Sequence, residues 1–198
     1  MIFKAVLALV FSFSVLISQA LMAADAEITA GDFRCITDMK KVEHFYVDNL
    51  YGNVDATAKV ASSKTGGVYP PGSVVQLVPT EVMVKRDPGF NAATKDWEFF
   101  ELGVSPKGTE IVARGVADVN NSSGGNCFGC HVKARPEWDM ICDQNHGCDP
   151  IPLSRTMITA IQKTDPRCPP VTLTEEEQRS LSQFQDFLSN LERARANN

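Results

Sequence analysis

Residues 97–131 read Trp97-EFFELGVSPKGTEIVARGVADVNNSSGGNCFGC-His131, and the order of signals in this stretch decides the fold. Trp97 to Val104 is rich in aromatic and apolar residues and reads as a strand. Ser105-Pro106-Lys107-Gly108 is a turn, and Thr109 to Asp118 reads as the returning strand. The two form a hairpin. The polar loop Asn120 to Gly125 then leads directly into Cys127-Phe128-Gly129-Cys130-His131. That pentapeptide is a Cys-x-x-Cys-His, the pattern of covalent haem attachment. Two intervening residues let both sulfurs reach one porphyrin edge from a single backbone turn. The thiols of Cys127 and Cys130 are expected to add to the haem vinyl groups. His131 is expected to be the proximal iron ligand, and so the metal-binding residue of a single haem c. Half a zinc site is the first alternative, but a zinc site wants a second ligand pair at short spacing, and the chain has no second Cys-x-x-Cys. A thioredoxin-like redox pair is the second, but it would sit early in a βαβ pattern.

Working outward, the segments before the motif are also β-like. Tyr69-Pro70-Pro71-Gly72 marks a turn. Ser73 to Val78 is rich in β-branched residues, and Glu81 to Lys85 alternates, with Val82 and Val84 on one face. Asp87-Pro88-Gly89 ends that strand. Asp38 to Leu50 reads as a helix with Met39, Val42, Phe45 and Tyr46 on one face, or equally as a strand from Val42 to Val47. Small class I cytochromes carry the motif early with helices after it, and four-helix cytochromes carry it late with helices before it. Here it is late and strands precede it. The expected class is α+β: an antiparallel β-sheet core, then a haem-bearing Cys-x-x-Cys-His segment, then a C-terminal helix. Prolines interrupt residues 136–170, leaving room for a short helix over Leu153 to Lys163. Thr174-x-x-Glu177 is a capping box, and Leu181, Phe184, Leu188 and Leu191 form one stripe, predicting a helix over Glu175 to Ala194. That stripe either packs within the chain or forms a homodimer contact.

The expected organisation is a signal peptide over residues 1–24, a haem-binding cytochrome domain over 25–172 and the C-terminal amphipathic helix over 173–198. Lys4 followed by the apolar run Ala5 to Ile17 and small residues predicts cleavage within residues 20–26. The apolar run is too short for a membrane span, and no other segment is long enough. The mature chain is therefore expected to be soluble and exported, in the periplasm. The whole chain carries a net charge of −5. Loss of Lys4 makes the mature chain one unit more negative, which argues against nucleic acid as a partner. Of the six cysteines, the motif uses two. The remaining Cys35, Cys142, Cys148 and Cys168 suggest two disulfides in an exported chain. Cys142–Cys148 closes a short loop of turn formers, which leaves Cys35–Cys168 to join the two ends of the domain.

Three features resemble the cytochrome P-460 family and its relatives, the cytochromes c′-beta. Tyr69-Pro-Pro-Gly-Ser-Val-Val-Gln-Leu77 is similar to that family's aromatic-x-x-Gly-Thr-Val-x-Val-Lys strand. Trp97-Glu-Phe-Phe100 is similar to its Trp-x-Phe-Tyr strand. The late Cys127 to His131, followed by Asp139-Met140, is similar to its haem segment. The resemblance covers roughly residues 30–165. It implies a β-rich, often dimeric fold and a five-coordinate haem with a histidine proximal ligand. It further implies hydroxylamine oxidation or the binding of nitric oxide and similar gases. One departure bears on the chemistry. The lysine that cross-links to the porphyrin in the hydroxylamine-oxidising members aligns with Leu77, which has no nucleophile. Lys85, on the next strand, is a conceivable substitute, against the plainer reading of a solvated strand lysine.

The expected function is therefore an exported mono-haem c-type cytochrome, five-coordinate, for redox or small-gas chemistry, with a small gaseous or nitrogenous ligand and a redox partner protein. A six-coordinate electron carrier is one alternative and a hydroxylamine-oxidising enzyme another. The sixth-ligand candidates are Met83, Met140, Met157, His44 and His146. Met140 is too near His131 in sequence to reach the opposite haem face easily, and His146 is expected at the surface. Phe99, Phe100 and Phe128 are candidate pocket walls. Glu98 or Glu101 could supply a distal acid, but strand alternation lets at most one of them face inward.

Overall fold

A computed structural model describes residues 27–197. The expected signal peptide and its cleavage region up to residue 26 lie outside the described residues. Six strands form one antiparallel sheet in sequence order: β1 (Lys40–Val42), β2 (Phe45–Asn49), β3 (Ser73–Val78), β4 (Glu81–Lys85), β5 (Trp97–Ser105) and β6 (Gly108–Gly115). The helices are α1 (Val54–Ala61), α2 (Cys127–His131), α3 (Arg155–Lys163) and α4 (Glu175–Ala196). The class is α+β. Among the described residues no helix is long and apolar enough to cross a membrane.

Alternation along the strands sends side chains to two faces, and both faces are covered. Val75, Met83, Trp97 and Phe99 point to one face, where Ala58 of α1, Tyr69, Val119, Met140 and Ile141 pack over them. Val74, Val82, Val84, Phe100 and Leu102 point to the other, under Ile28, Phe33, Ile36 and Met39 of the N-terminal segment. The Cys35–Cys168 disulfide ties that segment to the loop after α3, and Cys142–Cys148 closes a short loop after the motif; both pairings are as expected. A bulge separates Glu101–Ala113 from Leu102–Ile111, leaving Val112 as the extra residue. It turns β6 so that Ile111 packs on the second face and Ala113 on the first.

The helical reading of Asp38 to Leu50 is overturned: the segment is the β1–β2 hairpin, with Val42 paired to Phe45 across the turn residues Glu43 and His44. The physical reason is double coverage. Phe45 and Val47 enter one core and Tyr46 the other, so β2 shows a continuous apolar run rather than alternation. The α1 helix was not expected at all. The hairpin β5–β6, strands β3 and β4, α3 and α4 stand where the sequence places them. In α4 the capping box is formed: Glu177 N donates to Thr174 Oγ1 at 3.2 Å and Thr174 N to Glu177 Oε2 at 2.9 Å. The helix packs on α3. Glu177, at one end of the stripe, accepts from Lys163 of α3 at 2.6 Å. Arg195, in line with it at the other end, donates to Ser123 O at 2.6 Å.

Candidate functional site

The Cys127–His131 segment is a single helical turn, and Asn126 builds it. The Asn126 Oδ1 accepts from Gly129 N at 2.7 Å, capping the turn, while its Nδ2 donates to Ala117 O at 2.8 Å. Cys127 N donates to Val119 O at 3.0 Å. The turn is thereby fixed to the chain leaving β6. A three-residue step places Cys127 and Cys130 on one side of the turn. Both are half-buried free thiols. Burial pushes the Cys127 thiol up to about 12, with the nearby Glu81 and Glu101 carboxylates adding to the rise. Burial raises Cys130 as well, against the opposing pull of Lys133. Both sulfurs therefore carry protons at neutral pH. A redox Cys-x-x-Cys works through a lowered thiol pKa.

His131 is half-buried beside the Phe99 ring, with centroids 5.6 Å apart. Its Nδ1 lies 2.7 Å from Met140 O. A carbonyl only accepts, so Nδ1 carries the proton and the Nε2 lone pair is free. Burial lowers the pKa of the ring, with the Met140 contact opposing, and keeps it neutral. A neutral imidazole oriented through Nδ1–H to a backbone carbonyl is the usual arrangement of a metal-ligating histidine.

What aims the Met140 carbonyl is a buried ion pair that sequence reasoning did not find. Asp139 and Met140 both adopt left-handed backbone, φ 47° and 68°. The Asp139 carboxylate accepts from Lys85 Nζ at 2.9 and 3.0 Å and from Tyr69 N at 2.9 Å. The Asp139 carbonyl accepts from Trp97 Nε1 at 2.7 Å. Lys85 Nζ also donates to Lys95 O at 2.6 Å and lies 5.1 Å from the Trp97 ring centroid. Lys85 is therefore not the solvated strand lysine its alternation suggests. Its ammonium is fully engaged, and it is not offered for a porphyrin cross-link. Leu77, at the aligned position, is half-buried beside the first core.

The expectation that Glu98 and Glu101 point to opposite faces holds. Glu98 is buried on the second face, accepting from Arg86 at 2.6 Å and from Arg114 at 2.8 Å. Glu101 shares the face of Phe99 and stands directly opposite Glu81 in the β4–β5 pairing. Burial, reinforced by Glu101, pushes the Glu81 carboxyl up to about 7. Glu81 was not singled out from the sequence, although the strand register would have paired it with Glu101. Of the aromatic candidates, Phe99 and Phe128 lie on the motif side. Phe100 lies on the other face against Phe33. Met140 is on the same side as the His131 ring it supports. Met83 is buried in the first core, and Met157 lies on α3. His44 lies 3.4 Å from Asp143, and His146 is half-buried, stacked on Trp138 at 3.6 Å rather than free at the surface. A groove of about 340 Å³ is lined by Glu43, Lys64, Trp138, Asp143, His146 and neighbours, and by none of Cys127, Cys130 or His131.

No protein-family description, no curated protein and no solved structure matches this chain.

Proposed function

We propose that the protein is an exported mono-haem c-type cytochrome similar to the cytochrome P-460 and c′-beta group. The single observation that carries this reading is the pre-set His131 ring, its Nδ1 held by Met140 O at 2.7 Å, one residue past two protonated thiols at helical spacing. Cys127 and Cys130 would be the thioether anchors and His131 Nε2 the axial donor. The donor set fits: two free cysteines three residues apart stand beside a neutral imidazole, the form that ligates. When bound, haem supplies an iron centre that changes oxidation state and binds small gases.

The chain's residues favour five-coordinate iron. Met140 is committed to the proximal side through its carbonyl, and His44 and His146 have other partners. The Phe99 ring packs beside His131. Glu81 holds a proton near neutral pH close to Cys127, on the same face as Glu101. The α4 stripe is anchored to the body at Glu177 and Arg195, yet Leu181, Phe184, Leu188 and Leu191 between them are only half-buried. Leu77 and the engaged Lys85 argue against a lysine cross-link, and so against hydroxylamine oxidation in favour of binding nitric oxide or a similar ligand. Export to the periplasm belongs to the same reading, since two disulfides persist in an oxidising compartment.

The test is expression with haem c maturation. Pigment should stay with the chain on a denaturing gel and vanish in Cys127→Ala/Cys130→Ala. Addition of carbon monoxide or nitric oxide should shift the ferrous spectrum. Pigment that persists in the double variant refutes the anchors, and a low-spin ferrous spectrum indifferent to both gases establishes the electron-carrier reading instead.

A further inference from the structure

We propose that Glu43, His44 and Asp143 form a binding site for a divalent transition-metal ion of the zinc type, separate from the Cys127–His131 segment. The ligand atoms of the three side chains all lie within 4.8 Å of one another. His44 Nε2 and Asp143 Oδ1 are 3.4 Å apart. Ligand bonds of about 2.0–2.2 Å in tetrahedral geometry require donors roughly 3.4 Å apart, so the His44–Asp143 pair already stands at that spacing and Glu43 closes toward it. One imidazole and two carboxylates suit a borderline cation and leave a position for water. Glu43 and Asp143 both line the groove of about 340 Å³, which gives that position access to solvent and to small anions.

The frame behind the donors is rigid. Glu43 and His44 are the two turn residues of the β1–β2 hairpin. The buried Gln162 amide donates to His44 O at 2.7 Å and to Leu77 O at 2.7 Å, fixing the turn to β3. Asp143 sits inside the Cys142–Cys148 loop, next to its first cysteine.

Two cations already neighbour the carboxylates. Lys64 Nζ is 2.8 Å from Glu43 and Arg155 is 3.4 Å from Asp143. Lys64 is 83% exposed and Arg155 47%, so both can swing into water at little cost. They act as competitors for the site, so removing one should strengthen metal binding, not weaken it.

The test uses the full mature protein, stripped with chelator and titrated with Zn²⁺ by calorimetry, with circular dichroism to verify each fold. One zinc site is expected outside the haem segment. His44→Gln and Asp143→Asn should each weaken it by at least about tenfold, and the exposed Lys64→Ala should tighten it severalfold. Absence of stoichiometric zinc binding in the parent protein overturns the site. So does binding that is unchanged in His44→Gln, or binding that weakens in Lys64→Ala.

Discussion

Replacing Asp139 by asparagine removes the charge under the Met140 carbonyl while keeping the side-chain shape. The Lys85 and Asp139 side chains are 7% and 3% exposed, so the lysine left behind has no route to solvent. Breaking one side of a buried pair costs about 3–5 kcal/mol. The amide oxygen can still accept from Tyr69 N, so the lower end applies, about 3 kcal/mol. For a chain of this size that corresponds to a melting temperature lower by about 6–12 °C. Urea denaturation with disulfides intact measures it. Lys85→Met should cost a similar amount, and the double variant Lys85→Met/Asp139→Asn should lose clearly less than the two single losses combined, because neither charge is then stranded. The second readout is the His131 Nδ1–H proton, which should exchange faster in Asp139→Asn as the 139–140 backbone loosens. A single-variant loss below about 1 kcal/mol, or strictly additive losses, would refute the claim that this pair holds the segment.

Three further outcomes are expected. The Glu81 carboxyl titrates at about 7 in the fold against 4.5 when free. Between those values the folded chain holds a proton that the unfolded chain has released, so stability falls as pH rises through this window and the ionised carboxylate opposes folding above it. The full difference is worth about 3 kcal/mol, and solvent at this half-buried pair reduces it to about 1–2 kcal/mol. Glu81→Gln should therefore be more stable than the parent at alkaline pH and equal to it in acid below the free value; denaturation at both pH values checks this, and a variant weaker at alkaline pH contradicts it. Removing the Cys35–Cys168 bridge, whose cysteines are 133 residues apart, should cost about 4–5 kcal/mol in the chain-entropy model. Peptide mapping without reduction should recover Cys35 with Cys168 and Cys142 with Cys148.

The features legible in the sequence are those whose cause is local. The β5–β6 hairpin announces itself through Ser105-Pro106-Lys107-Gly108, and α4 through Thr174, Glu177 and the Leu181 stripe. The β1–β2 hairpin hides because β2 is buried on both faces, so no alternation marks it. The same division runs through the candidate site. Cys127, Cys130 and His131 are legible because their chemistry is set by spacing along one turn. The partner of His131 is not, because a backbone carbonyl has no side-chain signature. Its aim depends on two left-handed residues, and those depend on Lys85, 54 residues from Asp139. A lysine on an alternating strand reads as solvated; only the fold shows that this one is enclosed with Trp97 and Asp139. The aspartate is the more readable half, since Asp is among the few residues that accept left-handed backbone at low cost. An Asp two places before a β-branched residue and just past a proline-started turn marks a bend, but the direction in which that bend points a carbonyl is a tertiary property. Orientation of the histidine is thus the part of this site that the core, rather than the motif, determines.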